Sequence, residues 1–122
     1  VSNVVMRGEI GDSNYAMIFL RDITESKAEG TDSPTVLAAK IANELLDISG
    51  VKASFVLTNY NDKIYISARS IDEVNVQVMM ERMGGGGHLN IAGAQVKDTM
   101  DETEKMLKEI IDQLYQEGER KK

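Results

Sequence analysis

The chain has no cysteine, a single proline and a single histidine among its 122 residues. Without cysteine it forms no disulfide and offers no thiolate ligand or nucleophile, as suits a reducing compartment. One histidine and no thiol do not make a His-rich or thiolate metal site. No apolar run is long enough to cross a bilayer, and no signal-peptide pattern opens the sequence. Basic residues are in deficit, 14 against 20 acidic, for a net charge of −6. This argues against a non-specific nucleic-acid binder, which needs a basic face to neutralise many phosphates, but it leaves room for a small anion in a local positive pocket. There is no nucleophile elbow, no phosphate-loop lysine-serine pair and no Asp/His cluster at metal-ligand spacing. The chain reads as a binding half without a catalytic half.

What is present suits one folded domain. The sequence is 42% hydrophobic and 28% charged, enough for a core without staples. Residues 4–10 are rich in β-branched side chains, Asp12-Ser13-Asn14 reads as a turn, and 15–20 is a continuous apolar run, together predicting a hairpin. Residues 22–33 are polar and read as a loop. Ser33-Pro34 predicts a helix start, with Leu37, Ile41 and Leu45 on one face and Ala38, Ala42 and Leu46 beside them. Residues 51–58 alternate, with Val51, Ala53, Phe55 and Leu57 pointing one way. After a turn at 59–62, Ile64, Ile66 and Ala68 alternate with Tyr65, Ser67 and Arg69, giving a second hairpin. A short helix is predicted over 73–83 with Val74, Val78 and Met79 inward, and Met79, Met80, Met83 and Met106 read as core filler. A short edge strand is predicted over 94–96. Thr99-Met100-Asp101-Glu102 is a capping box for a last helix carrying Met106, Leu107, Ile110, Ile111 and Leu114. The expected architecture is an α+β domain over 1–117, a mixed sheet of about five strands with helices packed on it, followed by a frayed tail over 118–122.

Gly84-Gly85-Gly86-Gly87-His88 is the feature that structure alone does not require. A glycine run loses more backbone entropy on folding than other sequences and gives nothing to a core. It allows close approach of the backbone to a ligand and can aim successive N–H groups into an anion nest. His88-Leu89-Asn90-Ile91-Ala92 is expected to start a helical turn, whose N-terminal dipole and histidine would add to phosphate capture. Ser67, Arg69 and Ser70 form a second candidate group: Arg69, near a strand end, has the planar fork that grips phosphate. Asn75 and Gln77 open the short helix with amides able to bond a base or phosphate. The competing reading is a flexible glycine loop on an interaction or dimerisation module.

Gly84 to His88, preceded by the short helix and the Ser-x-Arg-Ser strand, resembles the DHH-associated domain of the DHH phosphoesterases, over nearly the whole chain. That superfamily includes oligoribonucleases, single-strand exonucleases, pyrophosphatases and cyclic-di-AMP phosphodiesterases. Ile66-Ser67-Ala68-Arg69-Ser70, Val74-Asn75-Val76-Gln77 and Gly87-His88-Leu89 look like the cyclic-di-AMP phosphodiesterase branch, whereas Ile91-Ala92-Gly93-Ala94 looks closer to the general superfamily motif. The resemblance implies a bacterial hydrolase in which an N-terminal DHH domain of the same polypeptide holds two manganese ions for two-metal phosphodiester hydrolysis. It implies that this chain lacks catalytic residues, binds no cofactor itself and is inactive alone. It also implies a substrate-phosphate role for Gly84, Gly85, Gly86, Gly87, His88, Arg69, Ser67 and Ser70, with Asn75 and Asn90 as further contacts. The expected ligands are cyclic-di-AMP, its product pApA, or short oligonucleotide ends if the chain belongs to the oligoribonuclease or exonuclease branch. The expected location is a cytoplasmic domain of a parent that can be membrane-anchored.

Overall fold

The computed structural model describes residues 5–20, 34–60 and 62–116. The Ser33 cap, the loop over 22–33 and the tail over 118–122 lie outside them. The chain runs β1 (Val5–Ile10), β2 (Ser13–Leu20), α1 (Pro34–Leu45), β3 (Val51–Tyr60), β4 (Lys63–Ser70), α2 (Val76–Arg82), β5 (Gly86–Gly87), β6 (Ile91–Val96) and α3 (Met100–Ile111), which ends in a π-helical turn, Asp112–Gln116. One six-stranded sheet has the order β1-β2-β3-β4-β6-β5. Among the described residues only β2 and β3 pair in parallel. Such a pair needs a crossover, and α1 supplies it. The α+β expectation is met, with one strand more than the five expected: the two-glycine β5.

Three local differences have physical causes. The first turn is tighter than expected, because Gly11 at φ 61 makes a short connection and Ser13 already belongs to β2. The register slips between Asn14 and Tyr15, which pair with Val51 and Ala53. Val51 therefore packs with α1 while Ala53, Phe55 and Leu57 join the opposite core. Leu37 is exposed rather than inward. Ala38, Ala42 and Leu45 make the contact, and the buried Ser54 hydroxyl donates to the Ala42 carbonyl at 2.6 Å. Small side chains and this bond hold α1 over β3.

The two faces of the sheet are packed unequally. On one, Phe55, Leu57, Ile64 and Ile66 meet Met79 and Met80 of α2 and Leu107 and Ile111 of α3, all buried. The α3 cap is half the expected box: Thr99 Oγ1 accepts from Glu102 N at 3.1 Å, but the Thr99 N–H donates to Asp98 Oδ1 at 2.8 Å. On the other face, α1 packs on Ala16, Ile18, Leu20, Val51 and Val56. Beyond Val56 this face meets a cleft.

Candidate functional site: a bare strip of sheet

The short helix begins later than expected, at Val76. Asn75 is its N-cap, accepting from Val78 N at 3.1 Å, and its own N–H donates to the Tyr115 hydroxyl at 3.0 Å. Val76, rather than the half-buried Val78, faces the core with Val74 and Met79. The glycines end α2 as expected. Gly84, at φ 89, donates to the Glu81 carbonyl at 3.1 Å, and Gly85 donates to the Met80 carbonyl at 2.8 Å. This pair of bonds is a Schellman cap, which favours glycine at its left-handed position.

The expected helical turn after His88 does not form. His88 N donates to the Ile91 carbonyl at 2.7 Å and Ile91 N to the His88 carbonyl at 3.3 Å, so Leu89 and Asn90 are the tip of a hairpin between β5 and β6. The local signal was misleading because Ile91-Ala92 pairs with β4 and is fixed by that long-range ladder. Among the described residues no helix N-terminus stands behind the histidine, and the N–H groups of Gly84, Gly85 and His88 already have backbone partners. The alternation of an antiparallel ladder makes Gly86 and Gly93 a bonded pair and turns the Gly87 N–H outward from β6.

Close packing constrains Gly85 a second time and explains Gly87. A Cβ at Gly85 would lie 2.0 Å from the Gly93 oxygen, and one at Gly87 would lie 2.5 Å from Ala92 Cα. At Gly86 a Cβ would meet nothing within 4 Å. Gly86 is therefore not required by the packing of its neighbours.

Register assembles the remaining residues. Cross-strand partners share a face. Ser54, Arg69 and Ile91 form one row on the α1 face, extended by His88 opposite Ile91. Val56, Ser67, Gly93 and Gly86 form the next row, and Thr58, Tyr65 and Gln95 the third. The middle row ends in two glycines and a serine, so it is almost bare. A cleft of about 620 Å³ opens there, lined by Tyr65, Ser67, Gly85, Gly93 and Gln95, with Thr35 of α1 also at its edge. Its size suits a small organic ligand.

Ser67, Arg69, His88, Gly86 and Gly93 thus come to one face, while Gly87 alternates to the other with Ala92. Arg69 is partly buried, and Nη1 donates to the Ala68 carbonyl at 2.9 Å. Burial lowers its pKa from the ordinary guanidinium value, and the group stays cationic near neutrality. Ser70 and Asn90 bond to each other instead of facing the cleft. The Ser70 hydroxyl, 4% exposed, donates to the Val74 carbonyl at 2.6 Å and accepts from Asn90 Nδ2 at 2.8 Å. Ser70 N also donates to the Asn90 carbonyl and Val76 N to the Leu89 carbonyl, each at 3.0 Å. These bonds tie the hairpin tip to β4 and to α2. Gln77 Nε2 bonds Glu81 Oε2 at 3.3 Å on the helix surface. Gly93 and Gln95 were missed from sequence; the available signal was a glycine inside a strand pattern, which marks close backbone approach. Among the described residues no group of three or more His, Cys, Asp or Glu could hold a metal ion.

Comparison with known proteins gives this geometry a context. Residues 14–117 match the DHHA1 domain family. The chain is 50% identical over 93 residues to the cyclic-di-AMP phosphodiesterase PdeA of Listeria monocytogenes, covering 75% of this chain and 14% of that protein. It is 52% identical over 85 residues to the cyclic-di-AMP phosphodiesterase GdpP of Geobacillus thermodenitrificans, covering 68% of this chain and 13% of that protein. The chain therefore spans less than a sixth of either relative. Among solved structures, an exopolyphosphatase-related protein from Bacteroides fragilis superposes with a TM-score of 0.66 at 26% identity, over 81% of this chain and 28% of that one.

Proposed function

The chain belongs to the DHHA1 domain family, and from that premise we propose that it is the nucleotide-binding part of a phosphodiesterase acting on cyclic-di-AMP or related dinucleotides. The observation that carries this reading is the bare strip beside a cationic row. His88 and Arg69 lie in one cross-strand row, and the adjacent row offers only Ser67, Gly93 and Gly86. A phosphate meets the guanidinium fork and the imidazole while the rest of the ligand lies on backbone. Two relatives are cyclic-di-AMP phosphodiesterases by name, which supports the choice of nucleotide.

On this reading the chain binds and orients; it does not carry the chemistry. On the family resemblance, two manganese ions are held by a DHH domain of the same polypeptide. Gly86, Gly87, His88, Ser67 and Arg69 hold the ligand for that domain, while Gly84 and Gly85 cap α2. Ser70 and Asn90 act by fixing the hairpin, and Asn75 by capping α2, rather than through the ligand. No helix among the described residues is long and apolar enough to cross a membrane. Oligonucleotide ends present the same terminal phosphate, but the −6 charge favours a small ligand over a polymer.

Calorimetric titration with pApA tests the reading. Saturable binding is expected, weakened by about 1.5–3 kcal/mol in His88→Ala, the worth of a hydrogen bond to a charged group. Equal binding by the two proteins would remove His88 from the site. Failure of the wild-type chain to bind pApA would favour an interaction module.

A further inference from the structure

The strip has two unlike walls. One is the Arg69–Ile91–His88 row, and the other is the Tyr65–Gln95 pair. They lie four residues apart along β6, a span of about 13 Å at strand rise. That span suits a nucleotide extended from its phosphate to the far edge of its base. The floor between them, Gly86, Gly93 and Ser67, carries one side chain, the small Ser67 hydroxymethyl. A side chain at Gly93 is barred, since its Cβ would lie 2.8 Å from the Ile66 oxygen. The Tyr65 ring is half-buried and packed against Tyr60 with centroids 6.2 Å apart. Gln95, opposite it, is exposed at the rim of the cleft.

We propose that this strip is a nucleobase subsite, with the base lying over Gly93 against Tyr65 and the Gln95 carboxamide selecting adenine. The inference rests on the nucleotide-binding reading and adds a specificity determinant to it. A carboxamide offers one donor and one acceptor side by side. Adenine presents the complementary pair in its N6 amino group and N7, whereas guanine presents two acceptors, O6 and N7, which suit arginine or lysine instead. Stacking against Tyr65 holds the ring plane, and Gln95 reads the edge.

The test is an NMR titration of the isotope-labelled chain with AMP, GMP and ribose 5-phosphate. AMP is expected to bind at least about fivefold more tightly than ribose 5-phosphate, the lower end of what base stacking contributes. It is expected to bind at least about fivefold more tightly than GMP, the lower end of bidentate base discrimination. Contacts from the adenine ring protons to the Gly93 Hα atoms and the Tyr65 ring are expected. Gln95→Leu, at an exposed position that leaves the core intact, is expected to bring the AMP-to-GMP ratio close to one. Equal affinity for AMP and ribose 5-phosphate, ring contacts elsewhere, or an unchanged ratio in Gln95→Leu would overturn the subsite while leaving phosphate binding standing. No binding of any of the three would overturn the nucleotide reading and the subsite together.

Discussion

The two faces of the sheet are made of the same strands and do opposite things. Towards α2 and α3, β3, β4 and β6 present Phe55, Leu57, Ile64, Ile66 and Ala94, all buried under two helices. Towards α1, the next residues along β4 and β6 are Tyr65, Ser67, Arg69, Gly93 and Gln95, none of them buried. Alternation along each strand separates the two sets, so the packed face can hold the sheet rigid while the other stays open. Stability and binding are thereby assigned to different residues only one position apart in sequence.

The largest break is expected on the packed face. Phe55→Ala empties a fully buried site and should cost about 3–5 kcal/mol in urea unfolding. A loss below about 1 kcal/mol would mean that the face is not packed as described. Gly85→Ala comes next. Its Cβ would overlap the Gly93 oxygen, so the hairpin must shift, at about 1–3 kcal/mol by the same unfolding measurement.

Alkaline pH should act on the packed side. Burial raises the Tyr15 pKa, and Asp112 and Glu104 raise it further against an opposing influence from Lys108. Lys108 is also raised, chiefly by its hydrogen bond to Glu104. Both groups hold their protons more tightly when folded, so their stabilisation is complete below their unfolded values near pH 10. It is lost as pH rises through the folded values. Thermal melts across that range should show falling stability, and Tyr15→Phe should make the fall shallower. A melting temperature independent of pH there would contradict this.

Gly86→Ala should change stability least, by less than about 0.5 kcal/mol, because no atom stands near its Cβ. It should nevertheless weaken pApA binding by standing in the strip. Paired with Gly85→Ala, it separates a glycine needed by the fold from one whose bareness serves the ligand. Unimpaired binding in Gly86→Ala would break that distinction.

Much of the packed face was legible in sequence. The alternation of Ile64, Ile66 and Ala68, the periodicity of Leu107 and Ile111, and the Thr99 cap are local patterns that tertiary contacts reinforce. The same alternation also brought Tyr65, Ser67 and Arg69 to one face. The hairpin at His88 was not legible. Gly86 and Gly87 have no strand propensity, and Ile91-Ala92 is a strand only because β4 lies beside it. The glycines looked alike in sequence yet divide by partner: Gly84 and Gly85 cap α2, Gly87 packs against Ala92, and Gly86 faces open space. Ser70 and Asn90 looked like ligand donors because their residue types suit phosphate. Only the fold reveals that they bond each other.

The most direct test of the open-face account is a map of backbone amide shifts on titrating the labelled chain with pApA. The account predicts saturable shifts at residues 65–69 and 84–95, with the amides of α3 unmoved. Saturable shifts centred on α3, or none at millimolar pApA, would contradict it.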